Sequence, residues 1–222
     1  MSAESRRARY RGMRAAVAVV PTFVGIFIGF GIAAQVAGVP TWAALLLSVV
    51  VFAAPAQFAM IDAAGAAQMI AAGILVNLRF FLMSLTLSQL LRAPRARLLW
   101  WAHFVTASSY LLTFFAARRL PPSEVAGFYR GVILMSFPAA MIGTVLGLAF
   151  GMRLSPVLTF GATLFLPIYF ALLLAGDLKG RAEIAAALLG FTLTPFAEYA
   201  VPGWGTFLVA IGAGALITAV ER

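Results

Sequence analysis

The chain has no cysteine among its 222 residues, so disulfides and thiolate chemistry are excluded. It has one histidine, His103, which rules out a multi-histidine metal site. Acids are scarce: seven Asp and Glu in all. No pair of carboxylates, no metal-ligand spacing and no phosphate-cradling loop occurs. No enzyme, cofactor or metal centre is therefore expected. Charge of either sign is rare, at 10% of residues against roughly 25% in soluble domains. No hydrophilic stretch is long enough to form a nucleotide-binding or soluble catalytic domain, so function must lie within or between membrane helices.

What fills the chain instead is apolar. It is 63% hydrophobic, with a mean hydropathy of +1.01. Long apolar runs predict an all-α integral membrane protein rather than a barrel. Eight segments stand out, at 15–37, 41–63, 66–91, 98–117, 125–151, 155–175, 183–201 and 203–220. The expected architecture is a polytopic bundle of seven or eight spans, with residues 1–14 as a basic cytoplasmic tail and 15–222 as one transport domain. The net charge of +9 does not call for nucleic acid, because most arginines sit in the tail and loops, where they orient a chain in the bilayer. The basic start followed by an apolar run reads as an uncleaved first span with a cytoplasmic N-terminus.

The span count is tied to orientation. Eight crossings put ten basic residues inside and four outside; a 41–63 segment that dips in and returns gives nine against five. The two are close under the positive-inside rule, and eight crossings is the reading adopted. The alternative turns on "VVVFAAPAQFAMID". Pro55 removes a backbone donor within the second segment and pushes Ala54 away from helical geometry. Either it kinks a continuous helix or it marks a discontinuous one, whose free backbone is tolerated only against protein or a wet cavity. A matching interruption at Pro167, with glycine-rich leading segments in each half, points to an internal repeat of 15–117 and 125–220.

The stretch "AAGILVNLRFFLMSL" holds Asn77 and Arg79 in an otherwise apolar run. An arginine at the bilayer centre costs about 2.5–3.5 kcal/mol on insertion scales, so Arg79 must face protein or water. It either pairs with a fixed acid or receives a carboxylate, for which a guanidinium is a planar two-pronged match. Asn77 is two residues away, about 200° round a helix, and cannot share its face. Serine and threonine further along the helix often bond only their own backbone. If a helix restarts near Pro55 and Gln57, its first amides favour an anion at the same depth. Asp62 is either a site for an ammonium or proton, or a residue at the membrane edge. His103, beside Trp100 and Trp101, reads as part of an interfacial aromatic belt.

Residues 52–88, "FAAPAQFAMIDAAGAAQMIAAGILVNLRFFLMSLTLS", resemble the AzlC family of branched-chain amino acid permeases. Gln57 and Phe58 match that family's Gln-Phe element, and Asn77, Leu78 and Arg79 match its Asn-Leu-Arg element twenty residues on. The resemblance covers residues 20–91. Ala54-Pro55 stands where relatives carry glycine and alanine, and Phe80 replaces a usual histidine. Ala107 and Ser108 align with an Asp-Glu pair, so proton coupling does not carry over. The resemblance implies a secondary transporter exporting branched-chain amino acids across the cytoplasmic membrane, beside a small AzlD-type membrane partner. The residues add a site at Pro55, Gln57, Asn77 and Arg79 for a zwitterion with an apolar side chain. A passive channel and a non-transporting assembly subunit are the rival readings.

Overall fold

The structure is a computed structural model. It describes residues 3–220 except 62, 64, 152, 165–167, 169, 170, 173, 174, 176, 177, 179 and 203. Asp62 and Pro167 thus lie outside the described residues. All regular structure among the described residues is helical.

Three rods frame the molecule. α1 (Ala3–Ala16) and α2 (Val20–Val36) follow one another with a 59° bend and lie along α8 (Pro122–Gly151). The contact is built on small residues. Gly131 lies against the Arg9 carbonyl and Gly147 against that of Ile28. A methyl at Gly143 would sit 2.6 Å from the Val24 carbonyl, which no side chain can do without moving a helix. This is small-residue packing of membrane helices. Because 9, 24 and 28 meet 131, 143 and 147 in ascending order, the α1–α2 rod runs parallel to α8. Residues 3–16, most of the expected basic tail, are therefore a helix packed on α8. α8 is 30 residues long, about 45 Å, against a hydrocarbon core of about 30 Å. Its excess lies at its start, where α1 packs and Arg11 pairs with Glu124 at 3.3 Å.

Between α2 and α8 the chain forms two broken hairpins. α3 (Thr41–Val50) enters beside the end of α2, with Ala44 packed on Phe30, Ala34 and Leu148. One turn deeper along α8, the Ser48 and Thr144 hydroxyls are 2.8 Å apart. The helix stops at residues 51–53. There Phe52 meets Phe137, close to the midpoint of α8, at 5.2 Å between ring centres. α4 (Ala54–Ile61) then turns back. Gln57 donates to Ser48 at 3.2 Å, Phe58 meets Phe30 edge-on, and Ile61 rejoins the cluster of Val39 and Ala44.

α5 (Ala66–Leu91) crosses from this end to the other, where Leu87 and Leu91 pack with Val125 and Tyr129. From there α6 (Arg95–Ala102) rises until Phe104 reaches Phe137 at 5.3 Å. α7 (Ala107–Ala117) descends, returning Ala117 and Leu120 to the cluster of Val125 and Tyr129. The two hairpins enter from opposite ends and touch at their tips: His103 Nε2 is 2.8 Å from the Val49 carbonyl. Each hairpin is followed by a through-running helix, so α3–α5 and α6–α8 repeat one order in opposite directions; these are not the halves 15–117 and 125–220 expected from the sequence, whose second interruption, Pro167, lies outside the described residues.

These hairpins correct the expectation of eight crossings. Residues 41–63 and 98–117 do not run through, and both do the same thing. With α2 parallel to α8, a lone re-entrant 41–63 segment is excluded as well, since one return would have reversed α8. The break in the second hairpin also moves His103 from the expected interface to mid-height.

Among the described residues, two helices, α5 and α8, are long and apolar enough to cross a membrane by themselves, and the bent α1–α2 pair is a third if it forms one span. Beyond them, α9 (Pro156–Thr163) lies against α2, while α10 (Arg181–Ala200) and α11 (Gly205–Val220) pair with each other. Phe191 is 84% exposed and Tyr199 91%. Helices apolar on every side belong in lipid. The chain is a multi-pass helical membrane protein.

Candidate functional site

Arg79 lies thirteen residues from the start of α5 and twelve from its end. At 1.5 Å per residue that is about 18–20 Å from either end. It borders a cavity of about 90 Å³ at the level of the hairpin tips. Across the cavity stand Ala53, Ala54 and Pro55 of the first hairpin and Thr106, Ala107 and Ser108 of the second. Both of these stretches are helix starts. The leading amides of a helix have no intrahelical acceptor, and the end carries about half a positive charge; in α4 these are Ala54 and Ala56, since Pro55 has no N–H and Gln57 N–H donates to the Ala53 carbonyl. Two such ends and a guanidinium therefore converge on one space.

The two starts are made differently. α4 begins with Pro55 in its first turn, where a missing N–H costs nothing and the fixed φ suits a helix. In the break, two residues before α4 begins, Phe52 has φ +45°, a left-handed conformation that is strained for an aromatic residue. Its ring is 1% exposed among Phe23, Phe27, Phe104 and Phe137, and this packing holds the backbone in place. α7 begins with a reciprocal cap: Ser109 N–H donates to Thr106 Oγ1, and Thr106 N–H donates to Ser109 Oγ at 2.8 Å. The cap takes up Ser109 N–H and leaves the amides of Ala107 and Ser108, two residues that line the cavity, without a side-chain cap.

Phe23, Ile26, Phe27, Phe52 and Phe80 complete the wall with apolar surface. The Arg79 guanidinium stacks on Phe80 at 4.7 Å from its ring centre. Among the described residues lining the space there is no carboxylate and no histidine. The arrangement suits an anionic group attached to an apolar body.

Of the four residues expected at a binding site, the structure brings Pro55 and Arg79 to this cavity and leaves Gln57 and Asn77 off it. Gln57 is fully buried on the other side of α4, bonded to Ser48. Asn77 faces a separate groove with Val50, Met60, Gly73 and His103, as the 200° separation from Arg79 requires. Its Oδ1 is buried with no protein donor among the described residues. Thr86 and Ser88 bond the carbonyls of Leu82 and Leu85 on their own helix. Thr22 and Thr106 were not singled out by sequence reasoning. Thr106 lacks the Glu or Gln three residues on that marks a capping box, and Ser109 fills that role instead.

The model of one protein family, described as AzlC protein, matches residues 18–154. This stretch runs from the bend before α2 to just past α8, and so includes both hairpins and the cavity. No curated protein and no solved structure matches the chain.

Proposed function

The chain belongs to the AzlC family, and on that premise we propose that it is a secondary transporter exporting branched-chain or other apolar amino acids across the cytoplasmic membrane. The observation that carries the reading is the convergence of Arg79 with the starts of α4 and α7 on a cavity walled by phenylalanines. The guanidinium and the free amides take the substrate carboxylate. The aromatic wall takes an aliphatic side chain. Half-helices that meet at mid-membrane, in segments of inverted direction, are the usual seat of a transported solute. The hairpins then serve as the two gates, one opening toward each side.

The N-terminus is cytoplasmic in this account. With both hairpins re-entrant, the five N-terminal arginines share one face with Arg92, Arg95, Arg97, Arg118 and Arg119, and Arg153 lies at the opposite end of the rods. This excess of basic residues on one face supports a cytoplasmic N-terminus under the positive-inside rule. A small AzlD-type membrane protein works beside the chain as its partner.

Counterflow of radiolabelled amino acids in proteoliposomes, with and without that partner, tests the proposal. Saturable exchange of leucine, isoleucine or valine is expected. Flux linear in concentration would establish a passive channel instead. Partner binding with no flux under any condition would establish an assembly subunit.

A further inference from the structure

Behind the cavity, between the first hairpin and α8, lies a polar cluster that the substrate site does not use. Ser48, Gln57 and Thr144 are each 0% exposed. Their hydrogen bonds form a directed chain. Gln57 Nε2 donates to Ser48 Oγ at 3.2 Å, the Ser48 and Thr144 hydroxyls share a 2.8 Å bond, and Thr144 Oγ1 donates to the Ala140 carbonyl at 3.2 Å. With Thr144 donating to Ala140, the shared bond takes its proton from Ser48. Both hydroxyl protons are thereby used, and what remains free is oxygen lone pairs. Gln57 Oε1 is buried and has no protein donor among the described residues.

Leaving a buried acceptor unsatisfied costs about 1–3 kcal/mol, yet the chain places one at the first turn of α4. α3 ends two residues beyond Ser48, at Val50, where the Leu47 carbonyl accepts from Val51 N–H and the Val49 carbonyl from His103. A half-helix C-terminus carries partial negative charge. Phe30, Ala44, Phe58 and Leu148 enclose the region in apolar surface. The set is neutral oxygen only: two hydroxyls and an amide carbonyl. Hard cations prefer such ligands, but a divalent ion held in protein generally draws on carboxylates.

We propose that Gln57 Oε1, Ser48 Oγ and Thr144 Oγ1 form a binding site for a monovalent alkali cation of sodium size, which couples to transport. The inference rests on the transporter reading. Its mechanical sense follows from the linkages. Ser48 is on the inbound arm of the first hairpin, Gln57 on the returning arm and Thr144 on α8. An ion bridging all three clamps that hairpin shut against α8. Gln57 is also only two residues beyond Pro55, which borders the substrate cavity. Ion occupancy and the position of the α4 start are therefore joined through less than one helical turn.

The test uses the full chain in detergent and in proteoliposomes. Thermal unfolding is followed in sodium, potassium, lithium and choline chlorides at one ionic strength, without amino acid. Sodium is expected to raise the Tm relative to choline, with the shift lost in Thr144→Val and in Ser48→Ala. Gln57→Glu supplies a carboxylate at the same point and should strengthen the sodium effect. In proteoliposomes, replacing sodium by choline should slow leucine counterflow at least tenfold. If the Tm is the same in all four salts for the wild type and for Gln57→Glu, the site does not exist and Oε1 is met by water. Because the unfolding assay contains no substrate, that result with intact leucine counterflow removes only the ion site. A sodium-dependent Tm without counterflow of any amino acid would instead uphold the ion site and remove the substrate reading.

Discussion

Replacing Arg79 by lysine keeps the charge and discards the planar fork. Arg79 is about 18–20 Å from either end of α5, far beyond the reach of a lysine side chain to the interface. The new ammonium therefore stays at the cavity. It presents a point charge where the guanidinium offers two parallel donors to a carboxylate. One charge-assisted hydrogen bond is lost, at about 1.5–3 kcal/mol. At 1.4 kcal/mol per decade, the apparent affinity for leucine falls about 10- to 150-fold. Stacking on Phe80, 4.7 Å away, weakens as well, by about 0.5–1 kcal/mol. Arg79→Met removes both the fork and the charge and should take transport to background. The assay is concentration-dependent leucine counterflow in proteoliposomes, with insertion checked by size-exclusion profile. If correctly folded Arg79→Lys protein transports leucine with unchanged affinity, Arg79 is not a carboxylate receptor.

Other outcomes follow from the same geometry. The chain contains no native cysteine, so single cysteines report topology without background; those at Arg95 and Arg118 should be labelled from the same side, and labelling from opposite sides would break the second hairpin. Thr106→Ala removes the cap of α7, at about 1 kcal/mol, and should lower both the Tm and the affinity for leucine; if neither moves, the α7 start is not part of the site. No described residue lining the cavity titrates near neutral pH, so an imposed pH gradient at zero potential should drive little accumulation. Strong uphill uptake, abolished by Asp62→Asn, would place a proton site at Asp62 and refute this expectation.

Particular residues explain how much of this was legible beforehand. Pro55 announced the first break, because a proline inside an apolar run has few structural uses. The second break, at residues 103–106, contains neither proline nor glycine. It is made by the reciprocal Thr106–Ser109 cap and by Phe104 packing on Phe137. Both are contacts that hydropathy does not register, and 98–117 therefore read as one continuous span. From that followed the misplacement of His103 and the near-tie in the charge count. Arg79 was identifiable because an intramembrane cation must be explained. Gln57 was equally visible as polar, but which side of α4 it faces depends on where the helix starts. The start at Ala54 turns it toward Ser48 and Thr144. The basic N-terminal segment reads as a tail by composition, and its small residues acquire meaning only opposite Gly127 and Gly131.

The central claim is that the carboxylate of an apolar zwitterion is held at mid-membrane by Arg79 and two helix starts. Equilibrium binding of radiolabelled leucine to the purified chain, competed by a matched series, tests it most directly. Leucine and its keto acid keep the carboxylate; leucinol and isoamylamine lack it. The account predicts displacement by leucine and the keto acid, little displacement by leucinol or isoamylamine, and loss of binding in Arg79→Met. Displacement by isoamylamine as effective as that by leucine, or undiminished binding to Arg79→Met, would contradict it.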